Sequence, residues 1–140
     1  HDLNFLKIAL THRSYSSGYG LKYCKERMEF LGDSILSAVV SEYLYNKYSD
    51  DEGKLSQIKA QIVSAKSLSS WAKKIKLHKF IFISKSEELN LARHRDSLLC
   101  DSFEAVIGAI YLDSNFENVK SFIKTVLFRR TARLSYENYK

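Results

Sequence analysis

The sequence predicts an all-α protein, a helical bundle in a single domain. Three observations carry this. The 140-residue chain has no proline and only five glycines, which disfavours a turn-rich all-β architecture. Apolar residues recur at helical spacing through most of the chain, as in Met28, Leu31, Ile35 and Val39. Hydrophobic residues make up 45% of the total, enough for one sizeable core, and no run approaches the length of a membrane span.

Taken in order, Leu3, Leu6 and Leu10 mark a first amphipathic helix that fades at Ser14, followed by the loop Ser16-Ser17-Gly18-Tyr19-Gly20. His1 already lies inside a helical pattern, so the front end is expected to be trimmed from a longer protein. A long helix carries Lys25 to Leu36 and continues to about Tyr48, before the acidic turn Ser49-Asp50-Asp51-Glu52-Gly53. Leu55, Ile58 and Ile62 give a short helix, and Ser64 caps the next, which holds Leu68, Trp71, Ala72 and Ile75. By pattern alone Phe80-Ile81-Phe82-Ile83 suits an extended segment or a buried helical turn equally. Ser84 to Asp96 reads as a loop or a mobile short helix. Asp96 or Ser97 then caps a helix through Leu112, and Ser114 starts the last, whose Val119, Phe122, Ile123, Val126 and Leu127 form an apolar stripe. The basic, aromatic tail from Arg129 to Lys140 reads as a solvated helix end.

The formal charge of +6 and the isoelectric point near 9.3 favour a polyanionic partner. Lys22, Lys25 and Arg27 flank one acidic segment, and Arg93, His94 and Arg95 precede another, which suits phosphates held at a basic rim around an acidic centre. Cys24 and Cys100 stand far apart with no C-x-x-C pair or histidine pair nearby, so reduced thiols are expected rather than a zinc site or a disulfide. His12 reads as structural; His1, His78 and His94 read as surface residues.

The acidic segments carry the chemistry. Glu26, Glu29 and Asp33 lie at i, i+3 and i+7 on one helix face, opposite the apolar stripe. Asp101 and Glu104 repeat the plan at i, i+3, with Phe103, Val106, Ile107 and Ile110 turned away. Such stripes usually decorate a solvated face. Here no Lys or Arg stands four residues after Glu26 or Glu29, so the usual screening partners are missing and the carboxylates repel one another. Gly32 and Gly108 interrupt helices that each should weaken by roughly 1 kcal/mol, which predicts the close approach of another backbone or a ligand.

Glu26-Arg27-Met28-Glu29-Phe30-Leu31-Gly32-Asp33-Ser34 resembles the signature of the ribonuclease III endonuclease domain, and Asp101-Ser102-Phe103-Glu104-Ala105 resembles that family's second acidic motif. The resemblance extends to Ala9 through Tyr15, Glu52 through Ser56 and Gly108 through Asp113, in that order along nearly the whole chain. Lys25, Met28, Ser49 and Cys100 depart from the family's pattern without removing a carboxylate, and Ser86 to Asp96 lacks its usual glycines.

The resemblance implies a bacterial-type catalytic domain over residues 1–140, without the double-stranded-RNA-binding domain that follows in such proteins. It implies a Mg²⁺-dependent phosphodiesterase, with Mn²⁺ as a substitute, cutting both strands of double-stranded RNA as a cytoplasmic homodimer to leave short 3′ overhangs in rRNA and mRNA processing. Glu29, Asp33, Asp101 and Glu104 would hold metal, with Asp33 and Glu104 catalytic, and Glu26 and Glu52 at outer acidic positions. Phe30 would sit in the dimer interface, and Lys22, Lys25, Arg27, Arg93 and Arg95 would contact RNA. The family also favours a helix at Phe80 to Ile83. A carboxylate-bridged di-iron bundle is disfavoured because Glu26, Glu29 and Glu104 have no histidine at i+3. An inactive protein of the same fold would be expected to have lost some of the six acids, and all six are present.

Overall fold

A computed structural model of the chain describes residues 3–15 and 21–128. Among them the α-helices run in order α1 (Leu3–Ala9), α2 (Leu21–Lys47), α3 (Glu52–Ile62), α4 (Ala65–Lys74), α5 (Lys85–Leu89), α6 (Asp96–Asp113) and α7 (Phe116–Leu127). Short 3₁₀ helices at Leu77–Phe80 and Ala92–His94 flank α5. The all-α expectation is met.

The bundle packs around α6. Leu98, Leu99, Ser102, Phe103 and Ala105 through Ala109 are all buried, so this helix is enclosed on nearly every side. α1, α2, α4 and α7 all lie against it. From α2, Met28, Ile35, Leu36, Val39, Val40 and Leu44 enter the same core, and from α7 come Val119, Ile123 and Leu127.

α2 and α6 cross with their backbones touching at the two glycines. A Cβ on Gly32 would collide with the carbonyl of Glu104 and lie 3.0 Å from the nitrogen of Gly108, and one on Gly108 would collide with the carbonyl of Met28. The close approach the glycines predict is therefore that of the other helix's backbone. It sets α2 and α6 at the distance where the side chains flanking each glycine must meet.

Several element boundaries differ from expectation, each for a local reason. α1 ends at Ala9, because the chain after it pairs with an extended segment: the Phe82 N–H donates to the Leu10 carbonyl and the His12 N–H to the Phe82 carbonyl, both at 2.8 Å. The helix favoured for Phe80 to Ile83 stops at Phe80. Beyond it Ile81 and Ile83 are buried while Phe82 faces outward, the two-residue alternation of extended chain.

Ser64 caps α4 as predicted, accepting from the Ser67 N–H at 3.2 Å. α6 begins at Asp96 without a side-chain cap, because Arg95, which has no acceptor, holds the cap position. Asp96 instead accepts from Ser69 Oγ at 2.7 Å and pairs with Lys73 at 3.9 Å, tying α6 to α4. Asn115, rather than Ser114, caps α7 by accepting from the Asn118 N–H, while Ser114 Oγ donates back to Ile110 at the end of α6. The stretch Ser84 to Asp96 folds as α5 and a 3₁₀ turn. There Leu91 takes φ 59°, the left-handed conformation that a glycine would adopt without strain. The loop read at Ser16 to Gly20 and the tail from Arg129 lie outside the described residues.

Candidate active site

The glycine crossing places the acidic faces of α2 and α6 side by side. Asp101 and Glu104 present carboxylate oxygens that lie, with Cys100 Sγ, within 4.8 Å of one another. Glu104 shares a hydrogen bond with Asp33 across the helix pair. Asp101 acts electrostatically on Glu29 from the other side. The four carboxylates thus form a continuous row, Asp33, Glu104, Asp101 and Glu29, with the two inner members from α6 and the two outer ones from α2.

Crowding and burial make this row reluctant to ionise. Burial raises Glu104 to about 8, followed by its hydrogen bond to Asp33 and the charges of Asp33, Asp101 and Glu29. Glu29 rises to about 7, first through burial and then through Asp101, with Lys25 opposing and Glu26 adding. Burial raises Asp101 as well, again opposed by Lys25. Hard oxygen donors from two rigid helices, short of positive charge near neutral pH, fit a hard divalent cation such as Mg²⁺.

Next to the row lies a cleft of about 220 Å³ lined by His12, Arg13, Lys25, Glu26, Glu29, Arg95, Ser97, Leu98 and Asp101. Lys25 supplies a cation that the missing i+4 partners did not foretell. It stands four residues before Glu29, is only 8% exposed, and donates from Nζ to Ser102 Oγ at 3.4 Å. Its position is therefore inside the α2–α6 contact and not on an outer rim.

Other site residues are placed as follows. Glu26 is exposed at the mouth of the cleft. Glu52 is exposed at the start of α3, accepts from Ser56 Oγ at 2.9 Å, and faces a different cleft with Tyr45, Tyr48 and Lys59; within one chain it does not join the row. Phe30 is 78% exposed on α2, one position from Glu29. Arg27 is exposed, and Arg95 lines the cleft while pairing with Glu87 at 3.6 Å. Arg93 is committed within the protein: it pairs with Glu88 at 2.9 Å and donates to the carbonyls of His78 and Ile81 at 2.7 and 2.8 Å. The side chain of Lys22 lies outside the described residues.

Sequence reasoning passed over three contributors. His12 lines the cleft with Nδ1 accepting from the Ser14 N–H at 3.1 Å, and Arg13 stands beside it; their place in the Ala9 to Tyr15 string was the available signal. Cys100 lies with its thiol 3.9 Å from a Glu104 oxygen, and burial, followed by the charge of Glu104, pushes it up to about 12, so it remains a neutral thiol. Its one-turn spacing from Glu104 announced that contact.

The family model described as Ribonuclease-III-like matches residues 2–131. Ribonuclease 3 of Enterococcus faecalis is 45% identical over 133 residues, covering 91% of this chain and 57% of that protein. Ribonuclease 3 of Caldanaerobacter subterraneus is 43% identical over 145 aligned positions, covering 99% of this chain and 64% of that protein. The chain thus spans less than two thirds of the length of these relatives. Among solved structures, a nuclease domain of ribonuclease III from Campylobacter jejuni superposes with a TM-score of 0.85 at 40% identity, over 93% of this chain and 89% of that one. With the motifs, the helix crossing and these likenesses in agreement, the chain belongs to the ribonuclease-III-like family.

Proposed function

We propose that this chain is the catalytic domain of a Mg²⁺-dependent endoribonuclease that hydrolyses phosphodiesters of double-stranded RNA. The single observation that carries this reading is the row of Glu29, Asp33, Asp101 and Glu104 at the glycine crossing, a set of hard donors short of positive charge. Relatives sharing over 40% identity across most of the chain are ribonuclease 3 proteins, which supports the reaction class.

Bound at the row, Mg²⁺ supplies a water that ionises near neutral pH and positive charge to stabilise the leaving alkoxide; Mn²⁺, which takes the same donors, substitutes. The protein's part is to hold the four carboxylates in register on two helices that cannot slide past each other. Glu26 at the cleft mouth and Glu52 act as outer acids. Arg27 and Arg95, with Lys22, receive the phosphates of the duplex, whose A-form shape is read more than its sequence.

The active form is a homodimer. One Campylobacter structure is described by a region involved in dimer formation, and here Phe30 exposes a large aromatic face beside the carboxylates. Two sites in one dimer cut both strands and leave short 3′ overhangs, in the processing of rRNA and mRNA in the cytoplasm. The test is to incubate the chain with long duplex RNA at low salt, with and without Mg²⁺. Short duplex fragments should accumulate only with the metal; intact duplex in both tubes would overturn the reading.

A further inference from the structure

Lys25 is a charged side chain where a helical bundle rarely keeps one, 8% exposed between α2 and α6. An ammonium has three donors, and among the described residues Ser102 Oγ at 3.4 Å is the one hydrogen-bond acceptor it meets. Its surroundings account for the rest of its stabilisation. Glu29 stands one turn along the same helix face, and Ser102 is the neighbour of Asp101 on α6, so both carboxylates flank it. Burial lowers the lysine, while Glu29 and Asp101 are the charges that oppose this. Nothing in the proposed hydrolysis uses Lys25.

We propose that Lys25 is a positioning residue whose buried ammonium serves as a built-in counter-charge to Glu29 and Asp101, competing with divalent cation at that end of the carboxylate row. The inference rests on the metal-site reading above and deepens it. A fixed positive charge keeps the two acids together when no ion is bound. It also repels an arriving dication, so the row binds its metal more weakly than four uncompensated carboxylates would. At the other end of the row the charges that act on Glu104 among the described residues are all carboxylates, and no lysine opposes the metal there.

The test compares the parent with Lys25→Gln, Lys25→Met and Ser102→Ala by calorimetric titration of Mg²⁺ at one pH and ionic strength. Melting temperature with and without saturating Mg²⁺ is measured in parallel. Gln retains a partner for Ser102 and Met does not, yet both lose the charge, so both should bind Mg²⁺ roughly tenfold more tightly. Both should also gain more melting temperature from the metal than the parent does. Ser102→Ala keeps the charge and should titrate like the parent.

Equal or weaker Mg²⁺ binding in both charge-deleted variants overturns the proposal, as does tightening in Met alone, which would assign the effect to the hydrogen bond. A loss of duplex RNA affinity at unchanged Mg²⁺ affinity overturns it too, placing the lysine on a phosphate. If neither variant folds, as judged by circular dichroism, Lys25 is a framework residue and the proposal fails. A parent that binds no Mg²⁺ overturns the metal-site reading itself, an outcome distinct from a parent that binds it as its variants do.

Discussion

Glu104 occupies the most constrained place in the acidic row, touching Asp33 on one side and the Cys100 thiol on the other, with Asp101 one turn back on the same helix. Glu104→Gln keeps its volume and hydrogen bonding but removes one ligand charge. Cleavage of duplex RNA at saturating Mg²⁺ should drop by roughly 10³-fold, with the circular dichroism spectrum and duplex affinity nearly unchanged. Glu26→Gln and Glu52→Gln act outside the row and should slow cleavage by roughly tenfold or less; equally dead outer variants would erase the distinction between inner and outer acids. Protonation gives a second residue-level prediction. Glu29 and Glu104 sit at about 7 and about 8, above their ordinary value of 4.5, so metal-free protein keeps protons on the row near neutral pH. A raised folded-state value means the stabilising contribution is complete below 4.5 and is lost as pH rises through about 7 and then about 8. Metal-free melting temperature should therefore fall between those limits. Mg²⁺ should restore more of it at the alkaline end and release protons on binding, which calorimetry in buffers of different ionisation enthalpy would detect.

At the scale of elements, the crossing of α2 over α6 is the feature that a single atom can spoil. Gly32→Ala or Gly108→Ala directs a methyl into backbone, which cannot rotate away, and the gain in helix propensity of about 1 kcal/mol does not offset the overpacking. Each should lower stability by roughly 2 kcal/mol or more and reduce Mg²⁺ affinity, since spreading the helices separates the carboxylates. Gly53→Ala is the control. Its new methyl would meet Asp51 Oδ1 at an ordinary 3.6 Å, on an exposed first turn of α3, so denaturant titration should find it neutral or stabilising by up to about 1 kcal/mol. The sequence made the two interrupting glycines conspicuous because a helix interior should exclude them. It did not make Leu10 to Phe82 legible, because that pairing joins segments over seventy residues apart and neither has a strand's pattern long enough to declare itself.

For the whole molecule, the exposed Phe30 beside the carboxylates predicts that two copies meet on this face of α2. Light scattering at micromolar concentration should give twice the 16.2 kDa mass of the chain, and Phe30→Ser should shift it toward the monomer. A monomeric parent would remove the basis for coordinated cutting of both strands. Duplex binding should be weak and steeply dependent on salt, because phosphate contacts dominate it. With about four such contacts, raising salt from 50 to 200 mM should weaken affinity by roughly 10²-fold. Tight binding insensitive to salt would contradict the basic-rim reading.

What the sequence determined by itself was the chemistry on each helix face: the acids at i, i+3 and i+7, the apolar stripes behind them, and the glycines that require a close neighbour. These are local facts, written in spacings shorter than two helical turns, and they remain true in any arrangement of the helices. Which stripe faces which was a long-range matter, and so was the enclosure of α6 on nearly every side. The same holds for charge. Lys25, Arg27, Arg93 and Arg95 read alike along the chain, yet folding buries Lys25 against the acids, binds Arg93 to carbonyls at 2.7 and 2.8 Å, and leaves Arg27 and Arg95 outside. Only the packed structure could separate them, because whether a cation serves solvent, a partner or its own fold depends on what the other helices bring within a few ångströms of it.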